Sequence, residues 1–315
     1  MDPEGHGAQD LVRSVESGLV KGISQLRKSG CGYLDVNEWE VLSEIRTADK
    51  CVDRYANIVY YYSMKDYTKR LAEILAETGA IFFDNNLVLK DGRPTPYFVN
   101  MAMFRTGRLS IGMGSFFAGM MMSEGLVKDT DVILGPSYKG SAIALATAVA
   151  LWQEHRVDMT FDYDRKEAKT HGEGSVSKSI FVNSSLFDGC RIFIVDDVAT
   201  SMRTKFDLLE KIESEARFRG MTFRVKGIGI GLDREQTTAV YDRDGKVILD
   251  QKGENAIQGF VSRSGVPVFS VARIREVVEY IYNEEIPVMI AGKRTPIDAK
   301  IKAQFDKYLE TYGSR

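Results

Sequence analysis

Residues 191–204 read Arg-Ile-Phe-Ile-Val-Asp-Asp-Val-Ala-Thr-Ser-Met-Arg-Thr. Arg191–Val195 is a mostly apolar run of strand length, and a helical pattern follows over Thr204–Arg219. Between them, Asp196 and Asp197 can accept hydrogen bonds from a ligand diol or hold a divalent cation. The hydroxyls and backbone amides that follow can hold a phosphate. An Asp that only caps the helix is the less favoured interpretation, because two adjacent carboxylates repel one another.

The alternation of strand and helix extends on both sides of this segment. Apolar runs of strand length occur at Val132–Leu134, Met159–Tyr163, Arg191–Val195, Phe223–Leu232 and Val266–Val271. Helical patterns separate them at Ser141–Trp152, Thr204–Arg219 and Ala272–Tyr282. Apolar strands separated by helices of about 10–15 residues are typical of βαβ units. The predicted fold class is α/β, with a central, mostly parallel sheet flanked by helices.

The chain divides into two predicted regions. Residues 1–65 form a helical N-terminal extension, because apolar residues recur at helical spacing from Leu11 to Leu26. Residues 66–315 form the α/β domain, with a small hood of short strands over about residues 66–110. Residues 239–265 are predicted to be an insertion with a hairpin at Asp244-Gly245. A last helix begins near Pro296 and presents the apolar stripe Ile297, Ile301, Phe305 and Leu309.

Composition excludes several classes of protein. The 315 residues carry 42 Lys and Arg against 44 Asp and Glu, and this balance argues against a nucleic-acid binder. The most apolar windows, Ile111–Met122 and Ala142–Trp152, are shorter than the roughly 18 residues of a membrane span. Cys31, Cys51 and Cys190 match no zinc spacing and are predicted to be reduced thiols. With a polar N-terminus that excludes a signal peptide, the sequence predicts a cytoplasmic protein.

Three further loops carry candidate ligand-binding groups at predicted strand ends, where open parallel sheets bind ligands. Gly135-Pro136-Ser137-Tyr138-Lys139-Gly140 places a lysine at a helix N-terminus, although such turns are also common without a ligand. Residues 164–174 hold four potential cations and two glycines. This composition suits a mobile lid, predicted over residues 164–178, that closes over a polyanion better than it suits a merely solvated loop. Arg234 follows Leu232 and Asp233 and can clamp a ligand carboxylate.

Several of these segments together resemble those of a known family. Ile194–Thr200 resembles the 5-phosphoribosyl 1-pyrophosphate (PRPP) motif of type I phosphoribosyltransferases, and Arg165–Gly174 resembles the catalytic loop of orotate phosphoribosyltransferases. Three other segments agree in order and spacing: Gly135–Gly140, Lys90–Arg93 with Pro96–Phe98, and Leu232–Arg234. The resemblance covers about residues 66–283. It implies the type I phosphoribosyltransferase fold and transfer of a phosphoribosyl group to orotate in pyrimidine biosynthesis.

The resemblance also implies a role for each matching residue. Asp196 and Asp197 would hold the ribose hydroxyls, and residues from Thr200 to Thr204 would surround the 5-phosphate. Lys169, His171 and Asp197 are the predicted catalytic residues. The residues predicted to bind PRPP are Lys90, Tyr138, Lys139, Arg165, Lys166, Lys169, His171, Asp196, Asp197, Val198, Ala199, Thr200, Ser201, Met202, Arg203 and Thr204.

Orotate would be positioned by Tyr97, Phe98, Thr200 and Arg234, with help from Lys90. Mg²⁺ would travel with PRPP, held mainly by substrate oxygens and water, so no protein metal site is predicted. The family further implies a homodimer whose lids are shared between subunits. No nucleic acid or membrane partner is expected.

One departure from the family pattern leaves alternatives open. Met202-Arg203 stand where the phosphate loop usually has glycines. Arg203 could compensate by contacting the 5-phosphate, or it could point to solvent. The rival functions are a phosphoribosyltransferase for another base, which Arg234 and the lid sequence argue against, and a PRPP-binding regulatory protein. The altered loop favours the regulatory protein, and retention of Lys169 and His171 argues against it.

Overall fold

The structure is a computed structural model that describes residues 64–165, 179–199 and 202–314. Its helices are α1 (Asp66–Glu77), α2 (Gly107–Ser123), α3 (Lys139–His155), α4 (Arg203–Arg219), α5 (Ala256–Ser264), α6 (Ile274–Asn283) and α7 (Ala299–Tyr312). Its strands are β1 (Ile81–Val88), β2 (Pro94–Val99), β3 (Val132–Gly135), β4 (Thr160–Tyr163), β5 (Arg191–Ala199), β6 (Arg224–Asp233), β7 (Val240–Tyr241), β8 (Val247–Ile248), β9 (Val268–Arg273), β10 (Val288–Ile290) and β11 (Lys293–Thr295).

The central sheet has five strands in the order β4-β3-β5-β6-β9, and every neighbouring pair is parallel. After β3 the chain adds β4 on one side and then returns to the other side of β3 to form β5. This reversal of strand order leaves a crevice between the carboxyl ends of β3 and β5, which is where open α/β sheets bind ligands. The predicted α/β class with a parallel sheet is confirmed.

Burial on both faces explains why β5 is nearly continuous in apolar residues. Phe193 and Val195 point into one core, and Ile192 and Ile194 point into a second core on the opposite face. All four side chains are fully buried. A strand covered on both faces loses the apolar–polar alternation of a half-exposed strand. The strand continues to Ala199, so the acidic pair lies within β5 rather than after it.

The region predicted as the hood supplies β1 and β2 to a second sheet, whose strand order is β11-β10-β1-β2. β1 runs antiparallel to β2 and parallel to β10, which follows α6 late in the chain. β1 is a single strand whose pairing with β2 has an irregular register between Phe83 and Leu87. β10 and β11 were not predicted, because three residues are too few to show a pattern.

The region predicted as an insertion is only partly a hairpin. β7 and β8 pair antiparallel around a turn in which Gly245 has a φ of 78°. The later residues of the region form α5, whose Phe260 is fully buried against the second core. The antiparallel pairing is thus confined to β7 and β8, and residues 256–264 pack as a helix against the second core.

Two predicted regions lie wholly or mostly outside the described residues. They are the extension over residues 1–65, apart from its last two residues, and the greater part of the lid at 164–178. The described residues belong to a compact unit that begins at Tyr61. No helix in this described part has the length and apolar character needed to cross a bilayer.

Candidate active site

Two of the predicted loops meet at the crevice between β3 and β5. The Nζ of Lys139, at the start of α3, lies 2.7 Å from Oδ2 of Asp197 in β5. The side chain of Lys139 is 54% exposed, whereas that of Asp197 is 18% exposed. The structure thus brings together two residues that were predicted to bind PRPP from separate segments.

Asp196 is held more tightly than its neighbour. Its Oδ2 lies 2.7 Å from Nζ of Lys205 in the first turn of α4, and its Oδ1 accepts a hydrogen bond from the Asp197 amide at 2.9 Å. Burial raises the pKa of Asp196 above its ordinary value, and the neighbouring Lys205 ammonium opposes that rise. Lys205 was not predicted as a site residue, since nothing in the sequence indicates that a lysine within the predicted helix Thr204–Arg219 is buried.

The loop after β3 needs its glycines for close packing. A Cβ on Gly135 would overlap the carbonyl of Gly140, and a Cβ on Gly140 would lie 2.9 Å from the Val195 carbonyl oxygen. These glycines let the loop fold back against β5, which places Lys139 beside the acidic pair. Tyr138 is 73% exposed at the mouth of this loop.

The start of α4 has an unusual backbone conformation. Met202 precedes the helix with a φ of 59° and a ψ of 3°, the left-handed region that favours glycine. Its side chain is 2% exposed and belongs to the second core. Arg203 and Thr204 are exposed in the first turn. Thr200 and Ser201 lie outside the described residues, and Val198 and Ala199 end β5 beside them.

The base of the predicted lid is a short antiparallel pairing. Asp164 forms a bridge with Phe181, and the Arg165 amide donates to the Ile180 carbonyl at 2.8 Å. The carboxylate of Asp164 accepts from the Ser137 amide at 2.6 Å, which attaches the lid base to the loop after β3. The pairing places residues 164–165 beside residues 180–181, and most of the predicted lid lies between these two segments in the chain. The predicted lid residues Lys166, Lys169 and His171 lie outside the described residues.

Arg234 follows β6 and lies on an aromatic ring. Its Cζ is 5.4 Å from the ring centroid of Tyr97, which is fully buried in β2. The Nε and Nη2 atoms of Arg234 are buried and have no hydrogen-bond partner among the residues that the structure describes. Burial raises the pKa of the Tyr97 hydroxyl. A guanidinium held in this way retains donors for an anionic group.

The C-terminal helix supports this arrangement, which the sequence did not reveal. Gln236 Nε2 donates to the Tyr97 hydroxyl at 3.2 Å and to the Tyr308 hydroxyl at 2.7 Å. The rings of Tyr97 and Tyr308 meet edge to face, with centroids 5.9 Å apart. Tyr308 lies next to the predicted apolar stripe of α7, but no local pattern relates a helix near the C-terminus to β2.

Phe98 does not share the face on which Tyr97 meets Arg234. Phe98 follows Tyr97 in a strand, so its side chain points to the opposite face, where its ring lies 5.7 Å from that of Phe82. Lys90 is exposed in the turn between β1 and β2. Tyr97 and Phe98 therefore cannot present their rings to one ligand from the same side of the regular strand.

The sequence of this chain is similar to those of named proteins. A protein of Bifidobacterium adolescentis named orotate phosphoribosyltransferase is 32% identical over 256 residues, which cover 78% of this chain and 97% of the relative. The chain belongs to the orotate phosphoribosyltransferase family. Orotate phosphoribosyltransferases of Clostridium beijerinckii, at 30% identity over 80% of this chain, and of Photobacterium profundum, at 35% over 70%, agree. The matched segments cover 100% of the Clostridium protein and 92% of the Photobacterium protein. The resemblance stated from the motifs is confirmed.

Solved structures agree on the fold of this orotate phosphoribosyltransferase family member. The orotate phosphoribosyltransferase of Francisella tularensis superposes with a TM-score of 0.57 at 22% identity, covering 78% of this chain and 99% of that one. A UMP synthase of Leishmania donovani gives the same TM-score at 18% identity, covering 84% of this chain and 47% of that one. At such identities the likeness shows the fold alone. No family model matches the chain.

Proposed function

We propose that the chain transfers the phosphoribosyl group of PRPP to orotate, giving orotidine 5-phosphate and pyrophosphate in UMP biosynthesis. The observation that carries this proposal is the sequence relationship to enzymes of that name over nearly their whole length. The geometry supports it, because an acidic pair and a lysine meet at the crevice while Arg234 keeps unpaired donors. These groups match the two ends of the reaction, a sugar pyrophosphate and a carboxylate-bearing base.

At the PRPP end, the acidic pair would receive the ribose hydroxyls. Lys139 is bonded to Asp197, but its exposed side chain is free to turn toward the pyrophosphate when the substrate arrives. Thr200, Ser201 and the amides at the start of α4 would surround the 5-phosphate, because the N-terminus of a helix favours an anion. The exposed Arg203 and Thr204 lie at the same helix end.

At the orotate end, Arg234 would pair with the substrate carboxylate. A buried guanidinium with unpaired N–H groups is costly, and a carboxylate that accepts from two of them removes that cost. Uracil lacks the carboxylate and would leave those donors unpaired. This difference gives the site a physical basis for selecting orotate.

The chemistry requires stabilisation of the leaving group. The bond between ribose C1 and a pyrophosphate oxygen breaks while C1 gains a bond to nitrogen of the base, so negative charge builds on the pyrophosphate. Arg165 at the lid base, with Lys166, Lys169 and His171 of the lid, would stabilise that charge. Mg²⁺ would arrive as part of the PRPP complex, held by substrate oxygens and water.

We further propose a cytoplasmic homodimer in which the lid of one subunit closes over the site of the other. The family resemblance supports the shared lid. The free, buried Cys190 suits a reducing compartment. No nucleic acid or membrane takes part in this proposal.

The test is the ultraviolet absorbance of orotate when PRPP and Mg²⁺ are added to the purified chain. Loss of orotate absorbance that depends on both additions is expected, with far slower consumption of uracil or of a purine base. Comparable turnover of uracil or purines would overturn the assignment to orotate. Binding of PRPP without loss of any base would favour the regulatory protein instead.

A further inference from the structure

Lys205 is a nearly buried lysine inside the PRPP motif. Its side chain is 5% exposed, and its Nζ lies 2.7 Å from Oδ2 of Asp196. The same Nζ donates to the Val198 carbonyl oxygen at 3.1 Å. The side chain thus reaches from the first turn of α4 back to the end of β5, across the segment proposed to hold the 5-phosphate.

The position of Lys205 is unfavourable for a lysine unless it has a specific partner. A cation in the first turn of a helix is repelled by the helix dipole, and a buried ammonium loses its hydration. Asp196 is buried as well and requires a counter-charge. Each group therefore supplies the charge that makes burial of the other tolerable, and breaking such a pair is costly.

The two carboxylates of the motif differ in how firmly they are paired. Asp197 is paired with Lys139, whose side chain is half exposed and can leave when a ligand enters. Asp196 is paired with Lys205, whose side chain is 5% exposed and reaches from α4 to the Val198 carbonyl oxygen of β5. Substrate binding can thus exchange the partner of Asp197 but not that of Asp196.

We propose that Lys205 is a positioning residue for PRPP. It holds the Asp196 carboxylate in place to accept ribose hydroxyls, and it fixes the start of α4 to the end of β5. This inference rests on the proposed function, because it assigns a role at the PRPP site. Lys139, by contrast, is the exchangeable partner that turns from Asp197 to the pyrophosphate.

The test is a double-mutant cycle between Lys205 and Asp196. Lys205→Met is measured in the wild-type background and in Asp196→Asn, with orotate saturating. The KM for PRPP should rise about tenfold or more in the first background and by less than about threefold in the second, with kcat little changed in both. Lys302→Met is the control, since Lys302 is also poorly exposed and paired, but with Glu279 and Asp306.

Each outcome decides the inference separately from the function. An equal rise in both backgrounds, or no rise in either, would overturn the role of Lys205 while leaving a working enzyme. A wild-type chain that turns over no orotate would instead overturn the function itself. If Lys205→Met does not yield folded protein, Lys205→Arg keeps the charge, and the same contrast between backgrounds is expected. Equal effects of that variant in both backgrounds would also overturn the inference.

Discussion

Met202 gives a prediction in which glycine should be a better replacement than alanine. The residue has a φ of 59° and a side chain that is 2% exposed in the second core. Two opposing terms therefore act at one position. The buried side chain stabilises the fold, while the left-handed backbone destabilises it for any residue that has a Cβ.

The magnitudes follow from these two terms. Met202→Ala removes most of the buried side chain and keeps the strained backbone, so the free energy of unfolding should fall by about 2–5 kcal/mol. Met202→Gly loses nearly the same packing, since alanine keeps only its Cβ, but it relieves about 1–2 kcal/mol of left-handed strain, against a chain-entropy cost of roughly 0.5–1 kcal/mol. The glycine variant should therefore be more stable than the alanine variant by about 0.5–1 kcal/mol.

Urea denaturation measures the free energies of unfolding directly. Met120 is the matched control, because it is 1% exposed in the interior of α2, where glycine is less favourable than alanine by about 1 kcal/mol. The order of the two variants should thus reverse between position 202 and position 120. A glycine variant less stable than the alanine variant at both positions would refute the claim that Met202 bears backbone strain.

Three further predictions concern other parts of the site and fold. Tyr97→Phe should change the KM for orotate by less than about threefold, whereas Tyr97→Leu should raise it about tenfold, because it removes the ring beneath Arg234. Equal effects of the two variants in steady-state kinetics would contradict this. Asp131→Asn should lower the free energy of unfolding by about 1 kcal/mol at pH 7, measured by urea denaturation, and Asp129→Asn should lower it by less. Arginine pairing lowers the pKa of Asp131, so its contribution is present above about pH 3.9 and is lost as the pH falls through the lowered pKa. Lys169→Ala should lower kcat about 10²–10³-fold. Mixing the Lys169→Ala protein with the Asp197→Asn protein should restore activity if the subunits of a dimer share lids. No recovery after verified subunit exchange would contradict shared lids.

The central sheet could be predicted because its strands carry their own signal. Arg191–Val195 and Phe223–Leu232 are apolar runs of strand length, and burial on both faces requires that composition. α2 could not be predicted in the same way. Residues 107–123 contain four glycines and a nearly uniform apolar composition, so no helical period stands out.

Part of the site could also be predicted, because loops that follow parallel strands meet at one edge of a sheet. The contact between Lys139 and Asp197 follows from that rule. The supports of Arg234 do not, because Gln236 and Tyr308 are brought together by a helix that follows the whole sheet in the chain. Lys205 was missed for a different reason, since the burial of a charged side chain depends on a partner that spacing does not reveal.

The stoichiometry of the products formed from orotate and PRPP tests the proposed transfer directly. The purified chain with Mg²⁺ should form orotidine 5-phosphate and pyrophosphate in equal amounts, resolved by chromatography and a pyrophosphate assay, and Asp197→Asn should form far less of both. Formation of pyrophosphate without a nucleotide product, or binding of PRPP with neither product, would contradict the proposed transfer to orotate.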